Sequence, residues 1–136
     1  MAHWLMKTEP SSWSWDQQVE AGEKGTFWSG VRNHLAKKHL KEMKLGDEAF
    51  FYHSGEEKAV VGIVEIIKPY YPDPSDKTGV FGMVDVKAVK PLATPVTLAQ
   101  IKADSRLKDM VLVKSSRLSV QPVSGTEWKA VLALAK

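Results

Sequence analysis

The sequence predicts an α+β fold, a small and mostly antiparallel β-barrel with short helices packed around it. Five or six short apolar segments are typical of strands, and capping motifs place short helices between them. These strands are too short, and too often joined by hairpins, for a doubly wound parallel sheet. The 136 residues suit a single domain over 1–136, and a 43% hydrophobic content can build one core.

A strand and a capped helix are expected at the start of the chain. Residues 3–7 are apolar and are followed by Pro10, which predicts a strand that ends early. Ser14 and Gln17 have the spacing of a capping box, so a short helix is expected over about 14–21.

A loop and a second helix follow. Three glycines bracket Phe27-Trp28, which predicts a loop and not a regular element there. Asn33 opens the next helix, in which apolar residues recur on one face from Leu35 to Met43. Gly46 fits the left-handed C-terminal cap of this helix.

The middle of the chain is predicted to be β-rich. Residues 48–54 and 59–67 have the composition of two strands joined by a hairpin, and residues 82–89 alternate enough to form another strand. Residues 71–76 contain two prolines, which lack the N–H group that a central strand needs, so a loop is expected there.

The last third mixes short helices and strands. Thr97 begins a capping box, which predicts a helix to about residue 103. Strands are expected near 111–113 and over 117–121. Ser124 begins another capping box, and the final helix is expected to pack through Trp128.

Composition limits the classes of function. The chain has no cysteine, so disulfides, thiolate catalysis, zinc–thiolate sites and iron–sulfur clusters are excluded. The four histidines lack metal-ligand spacing, and no phosphate loop or dinucleotide fingerprint is present, so we expect neither a metal nor a cofactor.

Charge and hydropathy suggest where the protein works. The net charge is +3, and residues 69–136 carry ten Lys and Arg against six Asp and Glu, which permits a polyanionic partner without requiring one. The N-terminus lacks the features of a signal peptide, and no apolar run approaches the roughly 20 residues that cross a bilayer. These features predict a soluble, cytoplasmic protein that does not bind membranes.

Four segments combine aromatic or aliphatic residues with hydrogen-bonding groups. This combination is typical of pockets that hold a flat ring and recognise its edge, as in proteins that extrude bases or bind single strands. The segments are Trp4–Pro10, Trp28–Asn33, Phe50–Ser54 and Arg117–Pro122.

The first two segments allow both a functional and a structural interpretation. Lys7 and Glu9 either lie at a pocket rim or form a mutual salt bridge, which contributes little when exposed. Trp28 either stacks on a ligand or belongs to the core, in which case Arg32 would pair with a surface carboxylate. Gly30 would allow the backbone to approach a ligand closely.

The third segment ends a strand. Alternation sends Phe51 and His53 to one face and Tyr52 and Ser54 to the other, so one face is expected to be core and the other to close the pocket. His53 is either a catalytic acid or base or, more commonly for such a position, a hydrogen-bonded structural group. No G-x-S-x-G elbow supports a hydrolase.

The fourth segment is predicted to form a strand with Arg117, Ser119 and Gln121 on one face. That row either contacts a phosphate or a base edge, to which arginine is suited, or belongs to an exposed edge strand.

The chain resembles the EVE domain family, a branch of the PUA-like superfamily, from Trp4 to about Leu134. No single motif is decisive, but the ordered set is very specific. In chain order the motifs are Trp4–Pro10, Gly30–Asn33, Gly46-Asp47 with Phe51–Ser54, Tyr71–Pro74, Val84–Val86 and Arg117–Val123. Two departures are visible: Ser29 stands where many members carry Asp, and the loop after Pro74 is short.

The resemblance implies a PUA-like barrel and a non-enzymatic module that accommodates a modified base, notably a modified cytosine such as 5-methyl- or 5-hydroxymethylcytosine in DNA. Trp28 would stack on the base with Tyr52 as a possible partner, and Arg117 would hold a phosphate. The site residues implied by the family motifs are Lys7, Glu9, Trp28, Gly30, Val31, Arg32, Asn33, Tyr52, His53, Ser54, Arg117 and Ser119.

Three other functions stay open at this point. One is an RNA-binding PUA-type module without preference for a modification, and another is a sensor of small molecules or free nucleosides. The third is a small enzyme that uses His53 or Glu9 as acid or base. We expect nucleic acid as the partner and a monomeric protein.

Overall fold

The computed structural model describes residues 2–115 and 117–136. The strands are β1 (His3–Thr8), β2 (Thr26–Phe27), β3 (Glu48–His53), β4 (Ala59–Pro72), β5 (Gly82–Thr97) and β6 (Val120–Val123). The helices are α1 (Trp15–Glu20), α2 (His34–Glu42), α3 (Leu98–Ala103), α4 (Val111–Lys114) and α5 (Gly125–Leu134).

The six strands form one mixed sheet in the order β2-β5-β4-β3-β1-β6. β1 and β3 are parallel, whereas the other neighbours are antiparallel. The predicted α+β class is confirmed. Within the described residues the end strands β2 and β6 do not pair with each other, so the sheet is open and the predicted closed barrel is not confirmed.

Helices cover both faces of the sheet centre. Leu40 of α2 and Trp15 of α1 pack in one hydrophobic cluster, and Ile101 of α3 and Trp128 of α5 pack in a second cluster. Successive residues of β1 and β3 alternate between the two clusters, which explains their nearly continuous apolar runs. The expectation that one face of β3 is core and the other closes a pocket is therefore wrong, because both faces are core.

All three predicted capping boxes are present, at Ser14, Thr97 and Ser124. Asn33 caps α2 as predicted, since its side-chain oxygen accepts from the Ala36 N–H at 2.9 Å. These signals depend on residues three positions apart, which the sequence shows directly.

β4 and β5 are longer than predicted. β4 continues through Pro72, where a loop was expected, because β3 pairs with it only as far as Glu65. Ile66 still bonds to Gly46 and Asp47 on that side, and beyond it, among the described residues, β4 is paired only with β5, so the missing N–H of a proline is tolerated at a free edge. Pro91 lies opposite Gly62, where the register of the two strands shifts.

Two further corrections concern turns. Phe27 was expected in a loop but forms the short strand β2 with Thr26, paired with β5. Gly46 has a φ of 91°, but α2 already ends at Glu42, so the glycine turns the chain toward β3 and does not cap the helix. Leu35, placed on the apolar face of α2, is 49% exposed.

The segment 111–113 was predicted as a strand and is the short helix α4, in which Leu112 is buried. A short apolar run does not distinguish a strand from a buried helical segment. β6 begins only at Val120, so Arg117 and Ser119 precede it, and Gln121 is fully buried. The predicted outward row of these three side chains does not exist.

Candidate functional site

A cavity of about 340 Å³ lies between the end of β1 and the segment that contains β2. Its size is in the range of small-ligand pockets. The residues that line it carry three aromatic rings and several hydroxyl groups. The lining residues are Lys7, Thr8, Ser12, Trp13, Thr26, Phe27, Trp28 and Ser29.

Trp28 belongs to the core and to the cavity wall at once. It is 8% exposed, and its ring meets the Phe51 ring edge to face, with centroids 5.6 Å apart. The backbone N–H of Trp28 donates to the Val84 carbonyl at 2.8 Å. The core therefore fixes Trp28, and only a small part of its surface reaches the cavity.

Trp13 is half-buried and is held by hydrogen bonds on two sides. Its Nε1–H donates to Gln18 Oε1 at 2.9 Å, and its carbonyl accepts from Thr8 Oγ1 at 2.9 Å. Gln18 is fully buried and donates in turn to the Val86 carbonyl at 3.2 Å. Trp13 therefore offers the cavity an aromatic ring of fixed orientation.

Sequence reasoning missed Trp13, although a signal was present. Trp13 precedes the N-cap Ser14, and Gln18 follows the capping-box residue Gln17. These are the two positions that a hydrophobic staple joins at a helix start. Here the same pair is joined by a hydrogen bond from indole to amide.

Asp73 organises the loop that leaves the cavity at Ser29. Its Oδ2 accepts from the Gly30 N–H at 2.9 Å and from Arg32 Nη1 at 3.2 Å. Its Oδ1 accepts from Ser75 N at 2.7 Å and from Ser75 Oγ at 2.6 Å. Burial acts to raise the pKa of Asp73, but hydrogen bonds from Ser75, Gly30 and Arg32 outweigh it and lower the pKa to about 2.

The loop residues themselves have structural partners. Arg32 also donates to the Val31 carbonyl at 3.0 Å and to Ser75 Oγ at 3.0 Å, so it pairs with a carboxylate as the structural interpretation expected, although that carboxylate is buried. Val31 lies in the core and Asn33 caps α2. Gly30 has a φ of 84°, which favours glycine.

His53 uses both ring nitrogens. Nε2 accepts from the Trp15 N–H at 3.0 Å, so the ring proton is assigned to Nδ1, which lies 2.6 Å from Glu57 Oε1 and donates to it. This arrangement matches the structural interpretation of His53. Neither nitrogen can exchange a proton with a ligand without breaking one of these bonds.

A His53→Ala variant is expected to be less stable by about 1–3 kcal/mol, because the buried Trp15 N–H would lose its acceptor. The free energy of unfolding in urea measures this effect. His53→Gln, which keeps an acceptor oxygen, serves as the comparison and should be less damaging. Equal stability of His53→Ala and the wild type would contradict the structural role.

The remaining predicted residues lie at or just beyond the ends of β1 and β3. Burial lowers the pKa of Lys7, whose Nζ lies 5.8 Å from the centroid of the Tyr52 ring. Tyr52 is buried on the second face of the sheet, away from Trp28, and burial raises its pKa. The Glu9 carboxylate lies against Gly55, where a Cβ atom would come within 2.5 Å of Glu9 Oε2. Ser54 donates its N–H to the Thr8 carbonyl at 2.9 Å.

The structure thus brings together only part of the predicted site. Lys7 and Trp28 line the cavity. Arg117 lies instead at a separate shallow depression with Leu35 and Leu118, and the Ser119 carbonyl accepts from the Lys7 N–H at 2.8 Å. The predicted residues outside the lining are Glu9, Gly30, Val31, Arg32, Asn33, Tyr52, His53, Ser54, Arg117 and Ser119.

Neither a metal centre nor a membrane-spanning helix is evident in residues 2–115 and 117–136. No group of three or more potential ligand side chains converges there, and none of the helices has the length and apolarity that a bilayer crossing requires.

Comparison with known proteins gives consistent matches. A family model described as the EVE domain matches residues 2–134. Rpa0253 from Rhodopseudomonas palustris, solved by NMR, has 60% sequence identity and a TM-score of 0.94, and the match covers 99% of this chain and 93% of that one.

A human relative has been solved with DNA. Human thymocyte nuclear protein 1 is 36% identical over 165 aligned residues, which cover 98% of this chain and 73% of that protein. A crystal structure of the human THYN1 protein in complex with DNA that contains 5-methylcytosine has a TM-score of 0.93 at 35% identity, covering 100% of this chain and 98% of that one.

A more distant likeness concerns the fold alone. The YTH domain of the Zygosaccharomyces rouxii MRB1 protein, solved in complex with N6-methyladenosine RNA, matches with a TM-score of 0.60 at 19% identity. The match covers 99% of this chain and 86% of that one.

Proposed function

The chain belongs to the EVE domain family, and on this premise we propose that it is a non-enzymatic nucleic-acid-binding module that accepts a modified cytosine of DNA in the Trp13–Trp28 cavity. The observation that carries the proposal is a base-sized cavity with two indole rings held in place by the surrounding structure. The human relative solved with DNA containing 5-methylcytosine supports the choice of ligand.

In this proposal, stacking on the indole rings contributes affinity, and polar contacts to the edge of the base contribute selectivity. A base stacked on an aromatic side chain gains about 1–3 kcal/mol. A buried methyl group adds only about 0.8 kcal/mol, so discrimination also needs polar contacts. The hydroxyls of Thr8, Ser12, Thr26 and Ser29 belong to residues that line the cavity and are suited to a base edge. Lys7 also lines the cavity, and it would read the base only if its ammonium group, 5.8 Å from the Tyr52 ring centroid, turned toward the ligand.

The other predicted site residues enter the proposal in supporting roles. Gly30, Val31, Arg32 and Asn33 would shape the loop behind Ser29, which Asp73 anchors. The ends of β1 and β3 would be positioned by Glu9, Tyr52, His53 and Ser54, and Ser119 would hold β1 through the Lys7 N–H. Arg117, at the separate depression, would hold a phosphate.

The remaining predictions from the sequence belong to the same proposal. We infer a monomer, a PUA-like architecture for the open sheet, and a cytoplasmic location. Because the human relative is named a nuclear protein, the cellular location of this chain should be measured together with its DNA binding.

Titration with short DNA duplexes that carry cytosine, 5-methylcytosine or 5-hydroxymethylcytosine at one position tests the proposal. Tryptophan fluorescence reports binding, since Trp13 and Trp28 line the cavity. We expect at least one modified form to bind about fourfold tighter than cytosine, which corresponds to one buried methyl group.

Other outcomes would each contradict one part of the proposal. Equal binding of all three duplexes with steep weakening by salt would replace base recognition by phosphate-driven binding. No binding to DNA, together with binding to matched RNA or to free nucleosides, would favour the RNA-binding or the nucleoside-sensing alternative.

A further inference from the structure

The exposed side of α2 forms a basic depression of about 420 Å³, which we call the α2 basic surface. It is lined by His34, Lys37, Lys38, Lys41 and Glu42. Three lysines thus face one glutamate, and Glu42 lies 3.6 Å from Nδ1 of His39. The surface is strongly cationic although the whole chain has a net charge of only +3.

Within the part of the chain that the structure describes, the lysines of this surface have no carboxylate partner. Among the ion pairs of residues 2–115 and 117–136, none within 4.0 Å involves Lys37, Lys38 or Lys41. Their charge is therefore not neutralised within the described protein and is open to an anionic partner.

Two of these lysines lie near aromatic rings of β4 and of the residue that precedes β5. Lys37 Nζ lies 6.0 Å from the centroid of the Phe81 ring, and Lys41 Nζ lies 5.8 Å from that of Tyr70. The Arg32 guanidinium lies 5.9 Å from the Phe81 centroid on the same side. At these distances each contact contributes at most about 0.5–1 kcal/mol, which favours but does not fix the position of the ammonium group.

The α2 basic surface is close to the cavity along the chain. Ser29 lines the cavity and α2 begins five residues later at His34, the first residue of the α2 basic surface, so the chain between them spans at most about 18 Å. Lys37 and Lys41 are four residues apart on one helix face, with Cβ atoms about 5–6 Å apart. Phosphates of one DNA strand repeat every 3.4 Å along the helix axis, so a few nucleotides connect the two features.

We propose that the α2 basic surface binds the phosphodiester backbone of the DNA strand whose base enters the Trp13–Trp28 cavity. Lys37 and Lys41 contact phosphates next to that base, and Lys38 adds to the attraction. This inference rests on the proposed function for the identity of the partner, but it assigns a separate surface and a separate contribution to binding. The surface fixes the strand and raises affinity for every sequence, whereas the cavity selects the base.

The experiment compares the full chain with Lys37→Gln/Lys41→Gln. The dissociation constant is measured for cytosine and 5-methylcytosine duplexes between 50 and 300 mM salt, in roughly even steps. We expect the double variant to bind both duplexes on the order of tenfold more weakly, with a slope of log K against log salt that is shallower by about two. The ratio of the two affinities is expected to stay at its wild-type value.

Lys102→Gln/Lys108→Gln is the matched control. Lys102 lies on α3 and Lys108 follows that helix, on the side of the second hydrophobic cluster. The control loses the same charge at exposed positions and is expected to keep both the wild-type affinity and the wild-type slope. Glutamine is a good helix former, so the melting temperatures of both variants should remain close to that of the wild type.

Failure of this inference is distinguishable from failure of the proposed function. An unchanged slope in Lys37→Gln/Lys41→Gln, or an equal change in the control, would overturn the assignment of the surface. Tighter binding of matched RNA with the same lysine dependence would overturn its assignment to DNA. Equal affinity of the wild type for the two duplexes would overturn the modified-base proposal while the slopes still decide the role of the lysines.

Discussion

A Trp13→Ala variant is expected to bind DNA with a modified cytosine at least about fivefold more weakly than the wild type. Trp13 lines the cavity, and its ring is held by Gln18 through Nε1. Removing a stacking ring costs about 1–3 kcal/mol, which corresponds to roughly 5- to 150-fold in affinity. Fluorescence anisotropy of a labelled duplex measures the change without relying on the deleted tryptophan.

Trp13→Phe is the matched control for this experiment. It keeps a stacking surface but loses the N–H group that donates to Gln18, so we expect an affinity between those of the wild type and Trp13→Ala. Because Trp13 is only half-buried, the alanine variant should still unfold cooperatively, which circular dichroism can verify. Wild-type affinity in Trp13→Ala would show that the base does not occupy this cavity.

Trp28 is less suitable for the same test, although the sequence singled it out. Its side chain is buried against Phe51, so Trp28→Ala would leave a hole in the core. Large-to-small changes of buried aromatic residues cost about 3–5 kcal/mol of stability. A loss of binding in Trp28→Ala would therefore not separate a damaged pocket from a damaged fold.

Features that depend on neighbours in sequence were predicted well. The capping boxes at Ser14, Thr97 and Ser124 are formed by residues three positions apart, and all are present. The strand at residues 3–7 and the helix opened by Asn33 were also found close to the predicted bounds. At the helix starts a short pattern determines the capping hydrogen bonds. For the strand, the apolar composition was sufficient to place it, although its hydrogen bonds are made with β3 and β6.

Features that depend on distant partners were not predictable. A proline is excluded from a central strand but tolerated in a strand with one unpaired edge. Only the pairing of β3 with β4 shows that Pro72 lies in a strand of the second kind. The apolar run 111–113 became a helix because Leu112 packs against residues that are far away in sequence. Local propensity gives no information about such contacts.

The difference between sequence neighbours and distant partners also explains why the candidate site was predicted only in part. Asp73 lies 43 residues after Gly30, and the motif that contains it gave no indication that its carboxylate would bind that N–H. The charge excess in residues 69–136 pointed to the second half of the chain, whereas the basic surface is on α2 in the first half. A charge count along the chain does not show which cations face the same side of the molecule.

An Asp73→Asn variant is expected to lose about 3 kcal/mol of stability and most of the affinity for modified DNA. Asp73 is 2% exposed and accepts from Gly30, Arg32 and Ser75. An amide group would place a donor where a carboxylate oxygen now accepts, and Arg32 would lose its buried counter-ion. The loop behind Ser29 would then be released from the cavity wall. Urea unfolding and duplex binding measure the two losses.

Asp76→Asn is the matched control. Asp76 lies in the same β4–β5 connection and accepts from Thr78 and Phe81. Among the described residues it forms no hydrogen bond with Gly30 or Arg32, although, after the hydrogen bonds from Thr78 and Phe81, the Arg32 charge also contributes to lowering its pKa. The control therefore removes the same charge while leaving the anchor of the loop intact. We expect wild-type affinity for DNA in this variant, and a binding loss equal to that of Asp73→Asn would contradict the anchoring role.

Acid unfolding provides an independent measurement of the same carboxylate. The pKa of Asp73 is lowered to about 2 in the folded protein, whereas the pKa of an aspartate in an unfolded chain is about 3.9. A depressed folded pKa contributes stability that is complete above the unfolded pKa and disappears as the pH falls toward the folded pKa. Wild-type stability should thus decline between about pH 4 and pH 2, and Asp73→Asn should show a shallower decline because asparagine does not titrate. Equal slopes for the two proteins would mean that the Asp73 carboxylate contributes no more to the folded state than to the unfolded chain, which would contradict its proposed role as the charged anchor of the loop.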